Sequence, residues 1–145
     1  MATLPRTATA FWEGTLKTGR GGISTPQSGV FAEQRFGFGT RFGDEKGTNP
    51  EELIAAAHAG CYSMALGFML ETAGHVATRI DTEAKLAFSV GEASGPAITG
   101  IALAVRASVP GMDAATFLEF ANKAKANCVV SKALSVPITL DAALV

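Results

Sequence analysis

Cysteine is scarce in this chain. Two in 145 residues are far too few for a disulfide scaffold. Charge is scarce as well: 17% of residues are charged, and 12 Lys and Arg against 13 Asp and Glu leave a net charge of −1. The basic residues are scattered and form no stripe, so nothing draws the chain onto nucleic acid. With 48% apolar residues, the chain is also too apolar and too weakly charged for intrinsic disorder. No internal repeat, low-complexity tract or linker is visible. The opening MATLPRTATAFWEG has no apolar h-region, so no signal peptide is expected and the default compartment is cytoplasmic. A structural disulfide is not expected there.

What is present suits one domain spanning residues 1–145, a length that buries about 70% of the unfolded surface without a metal or disulfide. Residues 5–43 read as strands and turns: Ala8, Ala10 and Trp12 alternate with Thr7, Thr9, Phe11 and Glu13, and glycines punctuate the chain at hairpin spacing. GRGGIS has no strand-to-helix context, so it reads as a turn and not a phosphate loop. Phe36, Phe38 and Arg41 fall in a further extended run.

The clearest local signal is a helix start at residue 49. Asn49 is placed to cap, Pro50 suits the first helical position, and Glu52 lies at capping-box spacing. The helix should run about 24 residues and stop at Gly74. Within it, Leu53 to Leu70 carries no formal charge, which touches the lower limit for a membrane span. His58, Gly60, Tyr62, Ser63 and five alanines dilute its hydrophobicity, so a central helix buried on most sides is expected rather than a membrane segment.

Two alternating runs follow, Ile80 to Val90 and Ile101 to Val109, separated by a loop at 91–95. Asp113 or its neighbour caps a second helix through Lys125, Asn127 caps a short further turn, and a strand from Val136 to Leu140 closes the chain. The order suggests an α+β fold with two helices laid on antiparallel sheet.

The cysteines carry the possible chemistry. Cys61 sits in the long helix and Cys128 stands 67 residues later beside a helix start. They are not a CxxC, and spacing alone leaves open two buried small hydrophobes or a redox pair. Cys61 lies about three turns inside its helix, among Ala57, His58, Met64 and Ala65, where burial would raise its pKa. It is inert unless a cation reaches it, the candidates being Arg41, Arg79, Lys46 and His58. Cys61, Cys128, His58 and His75 show no metal-ligand spacing, so no metal and no cofactor is expected.

The stretch TRFGDEKGTNPEELIAAAHAGCYSMAL, with NCVVSKAL further on, resembles the OsmC branch of the OsmC/Ohr family. WEGTLKTGRGGIST, PGMDAATF and the terminal ITLD fit the same order, so the likeness covers nearly the whole chain. The resemblance implies an OsmC-like α+β fold of antiparallel sheets with long central helices in an intertwined homodimer. It also implies a thiol peroxidase acting on organic hydroperoxides. Carried over by position, Cys61 matches the peroxidatic cysteine and Cys128 the resolving one. Arg41 matches the arginine that stabilises the thiolate, and Glu51 the glutamate that orients it. Recycling by a dithiol, lipoyl-protein or small, is implied too. The family writes its second motif NCPxS, whereas Val129 stands here in place of the proline, which puts the positioning of Cys128 in question.

Spacing adds a condition. Ten residues on one helix separate Glu51 from Cys61 by about 15 Å. If the two share a site, Glu51 comes from the other subunit, bridged by an Arg41. Phe36, Phe38, Phe42 and Met64 are candidates for an apolar substrate mouth. The contrasting reading is a non-catalytic dimeric carrier of a hydrophobic ligand with structural cysteines.

Overall fold

The computed structural model describes residues 1–91 and 93–145; residue 92, within the expected 91–95 loop, lies outside them. The chain falls into two compact units, residues 1–53 and 54–145.

The first unit is built on a three-stranded antiparallel sheet in the order β1 (Thr9–Glu13), β2 (Arg20–Ser24), β3 (Gln34–Phe36). The central strand is RGGIS itself, so the expected turn is displaced to residues 14–19. The reason is lateral packing. Gly21 stands in register between Trp12 and Phe36, whose rings lie 5.6 Å apart, and a Cβ at Gly21 would collide with both. Glycine serves here as the bed for two rings on one sheet face.

The extended run expected through Arg41 is also corrected. After β3 the chain turns into a short helix, α1 (Phe38–Phe42). Thr40 sets its start: its hydroxyl accepts from the Gly37 N–H at 2.8 Å and donates to the Gly37 carbonyl at 3.1 Å. That local exchange competes successfully with strand pairing.

The long helix, α2 (Pro50–Thr72), starts and stops as its caps dictate. Asn49 Oδ1 accepts from the Glu52 N–H at 2.8 Å, while the Glu52 carboxylate takes the Thr48 hydroxyl at 2.9 Å. At the far end Gly74 adopts φ +86, the His75 N–H reaches the Leu70 carbonyl and the Gly74 N–H the Glu71 carbonyl. This pair of bonds is a Schellman stop, and it needs a residue that tolerates positive φ.

In the second unit, β4 (Arg79–Ser89) pairs antiparallel with β5 (Ala97–Ser108). β6 (Ile138–Leu144) lies on the other side of β5, parallel to it, two residues later than the expected closing strand. Ile101, Leu103, Val105, Ala107 and Val109 are buried while their neighbours are not, as their alternation requires. This face packs on α2 through Tyr62, Leu66 and Leu70 and on α3 (Ala114–Asn127) through Phe117, Ala121 and Ala124. Asp113 caps α3, accepting from the Thr116 N–H at 2.9 Å. A short helix, α4 (Val129–Ala133), follows directly, and its cap residue is Cys128, not Asn127.

α2 is not buried on most sides. His58, Tyr62, Leu66 and Leu70 form one buried stripe at four-residue spacing, while Met64 and Phe68 are 78% and 70% exposed. The helix is apolar nearly all round, yet one chain covers only one side of it.

Candidate functional site

In the first unit, Asn49 organises the polar centre. Its Oδ1 caps α2, and its Nδ2 donates to the Thr40 carbonyl of α1 at 3.0 Å. One side chain thereby sets the end of α1 against the start of α2. Arg41, in the last turn of α1, meets Glu51, in the first turn of α2, through a two-pronged ion pair. Nη2 donates to Oε1 at 2.6 Å, and Nε donates to Oε1 and Oε2 at 3.1 and 3.2 Å. Glu51 is buried; the Arg41 side chain keeps 38% exposure and lies over the Phe42 ring, 5.4 Å from its centroid. A guanidinium grips a carboxylate with two donors along one edge, a hold that a lysine cannot offer.

That guanidinium borders a groove of about 270 Å³ lined by Trp12, Leu16, Phe36, Gly37, Phe38 and Phe42. The three phenylalanines named from sequence therefore meet around Arg41. Trp12 and Leu16 were not anticipated there, since only the pairing of β1 with β2 brings them to β3. Met64, the fourth candidate, lies on α2 in the second unit.

In the second unit the two cysteines converge. The Cys61 and Cys128 sulfurs are 3.0 Å apart, unbonded, and share one S–H···S hydrogen. Cys128 is buried and Cys61 partly so. Burial is the largest influence on both and pushes each thiol upward. On Cys128 it is outweighed by the hydrogen shared with Cys61, the N–H and hydroxyl of Ser131 and the N–H of Val130, and the thiol falls below its ordinary value. The Cys128 side chain closes no cap bond at the start of α4. Cys61 stays above its ordinary value: burial and the neighbouring Cys128 outweigh the N–H groups of Val130 and Val129. Within this unit the surroundings favour the thiolate more at Cys128 than at Cys61.

Of the other cations considered for Cys61, Arg79 and His58 are engaged elsewhere. Arg79 is bound to Asp81 at 2.7 Å on the surface. His58 is buried and pushed toward its neutral form by that burial, with Nε2 2.8 Å from the Ser131 hydroxyl. Ser131 was not anticipated; its position three residues after a helix-capping Cys128 was the available signal. Among the described residues no three His, Cys, Asp or Glu side chains gather to hold a metal.

Residues 43–142 match the family model described as OsmC-like protein. Over 139 residues the chain is 53% identical to Peroxiredoxin OsmC of Escherichia coli K12, covering 96% of each chain. The chain belongs to the OsmC-like family. This OsmC-like chain is also 35% identical over 99 residues to an organic hydroperoxide resistance protein of Xanthomonas axonopodis pv. citri, covering 67% of this chain and 68% of that one. Among solved structures it resembles an organic hydroperoxide resistance protein OsmC from Legionella pneumophila, with TM-score 0.71 at 18% identity over 98% of both chains. An OsmC-like protein of Vibrio cholerae superposes with TM-score 0.76 at 10% identity, over 97% of this chain and 99% of that one. At these identities the likeness shows the fold, which is the expected OsmC-like α+β arrangement.

Proposed function

We propose that this OsmC-like chain is a cysteine-based thiol peroxidase that reduces organic hydroperoxides to alcohols. Relatives named peroxiredoxin and organic hydroperoxide resistance protein support a peroxide-related redox role. The observation that carries the cysteine chemistry is the 3.0 Å approach of two unbonded sulfurs, one on α2 and one at the start of α4. The Cys61 thiolate attacks the distal peroxide oxygen, the O–O bond breaks, and the alkoxide leaves with a proton as the alcohol. Cys61 is then a sulfenic acid. The Cys128 thiolate attacks its sulfur, the S–O bond breaks, and hydroxide leaves as water once protonated. A dithiol, lipoyl-protein or small, returns both thiols by exchange.

Arg41, oriented by Glu51, supplies the positive charge that Cys61 lacks and donates to the peroxide as its bond breaks. The apolar groove beside Arg41 takes the alkyl tail. Because α2 is unbroken from Pro50 to Thr72, Glu51 lies about 15 Å along the axis from the Cys61 of its own helix. The guanidinium that serves each Cys61 therefore comes from a second copy in an intertwined homodimer. The exposed Met64 and Phe68 stripe of α2 supports such a partner. The two units act together as one domain, in the cytoplasm, with no resident cofactor.

The groove of aromatic side chains also suits a dimeric carrier of hydrophobic ligands with structural cysteines. Cys61→Ser decides between the two. It should abolish turnover of an alkyl hydroperoxide while leaving the circular dichroism unchanged. Multiple-turnover activity in that variant would end the peroxidase reading. Slow, non-stoichiometric thiol loss when wild type meets one equivalent of hydroperoxide would favour the carrier.

A further inference from the structure

Asn49 does more at the start of α2 than a cap requires. A helix N-cap needs an acceptor for a free N–H, and Ser, Thr and Asp supply one as Asn does. Only asparagine adds an amide donor on the same short side chain. Here both ends are used: Oδ1 accepts from the Glu52 N–H at 2.8 Å, and Nδ2 donates to the Thr40 carbonyl at 3.0 Å. The two bonds fix which way the amide faces, since turning it over would set oxygen against carbonyl and N–H against N–H.

The bond to Thr40 falls where α1 most needs it. α1 has five residues, and the last carbonyls of so short a helix need donors from outside it. The Gly39 carbonyl takes the N–H groups of Gly43 and Glu45 at 3.1 and 3.3 Å. The carbonyl of the buried Thr40 takes the Asn49 amide. That carbonyl belongs to the peptide bond whose nitrogen is that of Arg41. Glu51, which grips the Arg41 guanidinium, stands just past Asn49 in the first turn of α2. One asparagine is thus bonded both to the peptide that carries the arginine and to the turn that carries its carboxylate. Nearby charged groups are engaged with others: Arg35 with Glu45 at 2.7 Å, and Glu52 with the Thr48 hydroxyl at 2.9 Å.

We propose that Asn49 is a positioning residue for Arg41, tying the Thr40–Arg41 peptide to the first turn of α2 so that Glu51 grips the guanidinium before substrate arrives. The consequence for peroxide chemistry rests on the reading of Arg41 as the cation for Cys61; the tie itself does not. Asn49 acts through Arg41 and not on the sulfur. Without the tie, the ion pair would have to order the end of α1 by itself, and holding a long side chain from a mobile base costs conformational entropy. With it, the base is fixed and the pair closes at little further cost. The charge is then preorganised, which is what a thiol raised by burial most needs from its cation.

Asn49→Ser and Asn49→Thr test the tie, because both keep an uncharged cap for α2 and neither carries the amide that reaches the Thr40 carbonyl. In wild type and variants, nitrogen-15 NMR follows hydrogen exchange at two N–H groups. The Glu52 amide reports the cap and should exchange at about the wild-type rate. The Arg41 Nε–H reports the grip of Glu51 and should exchange about tenfold faster, the worth of one hydrogen bond. Unchanged exchange at Arg41 overturns the proposal. An equal rise at both groups overturns it too, since Asn49 would then be a cap and nothing more. No peroxide enters these measurements. In single-turnover oxidation of Cys61 by tert-butyl hydroperoxide, Asn49→Ser should be about tenfold slower than wild type, with its pH midpoint moved up toward that of Arg41→Ala. In the Arg41→Ala background the same substitution should cost nothing further. A further loss there would mean that Asn49 acts on something other than Arg41, and overturns the proposal. An Arg41→Ala protein as fast as wild type would count against the peroxidase reading of Arg41, while the exchange measurement still decides the tie.

Discussion

Arg41 and Glu51 meet across the junction of α1 and α2, with Nη2 2.6 Å from Oε1 and Nε bridging both carboxylate oxygens. The carboxylate is buried and the guanidinium half out. Glu51 thus fixes the Nε–Nη2 edge of the group, and Arg41 is also one of the residues lining the apolar groove.

From this geometry, Arg41→Ala should slow the first oxidation of Cys61 by about a hundredfold or more, the usual cost of removing a preorganised donor from a charge-developing site. Arg41→Lys keeps the charge but cannot hold Glu51 and the peroxide at once, so an intermediate loss is expected. Glu51→Gln should fall between wild type and Arg41→Ala. Single-turnover quench with an alkylating reagent measures the rate. An Arg41→Ala protein that reacts at the wild-type rate would detach the ion pair from the chemistry.

The two thiols should separate by pH. Burial holds the Cys61 thiol up, so without an added cation it stays protonated to higher pH and its oxidation keeps accelerating as pH rises. In Arg41→Ala that rise should continue beyond the ordinary free-thiol value of about 8.5. Wild type should level off below it. Cys128 is held down, so its thiolate persists to lower pH and disulfide closure should have the lower midpoint of the two steps. Equal midpoints for wild type and Arg41→Ala would show that the charge on Cys61 has another source.

Val129 makes a third case. It is 73% exposed at the first helical position of α4, where proline fits, and its N–H favours the Cys61 thiolate. Val129→Pro should stabilise the fold by about 0.4–1 kcal/mol through the unfolded state. It should also raise the pH midpoint of Cys61 oxidation slightly, because it deletes that N–H. Urea unfolding and the pH–rate profile check the two halves. A lower stability would mean that the chain at residue 129 does not accept the proline ring.

Much of the frame could be read locally. The alternation of Ile101 to Val109, the Asn49 and Asp113 caps and the Gly74 stop depend on neighbours within a few residues, and each appears where its pattern placed it. The family likeness nominated Cys61, Cys128, Arg41 and Glu51, but only the fold sets the sulfurs 3.0 Å apart and closes the ion pair within one chain. GRGGIS became a strand because Trp12 and Phe36 needed a flat bed on either side, a requirement written 9 and 15 residues away from Gly21. Arg41 left its expected strand because the Thr40 hydroxyl could satisfy the Gly37 backbone.

By itself, then, the sequence determined where α2 starts and stops, where α3 starts and how β5 alternates, since those follow from backbone capping and side-chain period. Tertiary structure decided which residues share an environment. His58 meeting Ser131 and Trp12 joining the groove are contacts between segments distant along the chain. Their energy comes from burial and hydrogen bonding that exist only once helix and sheet have packed.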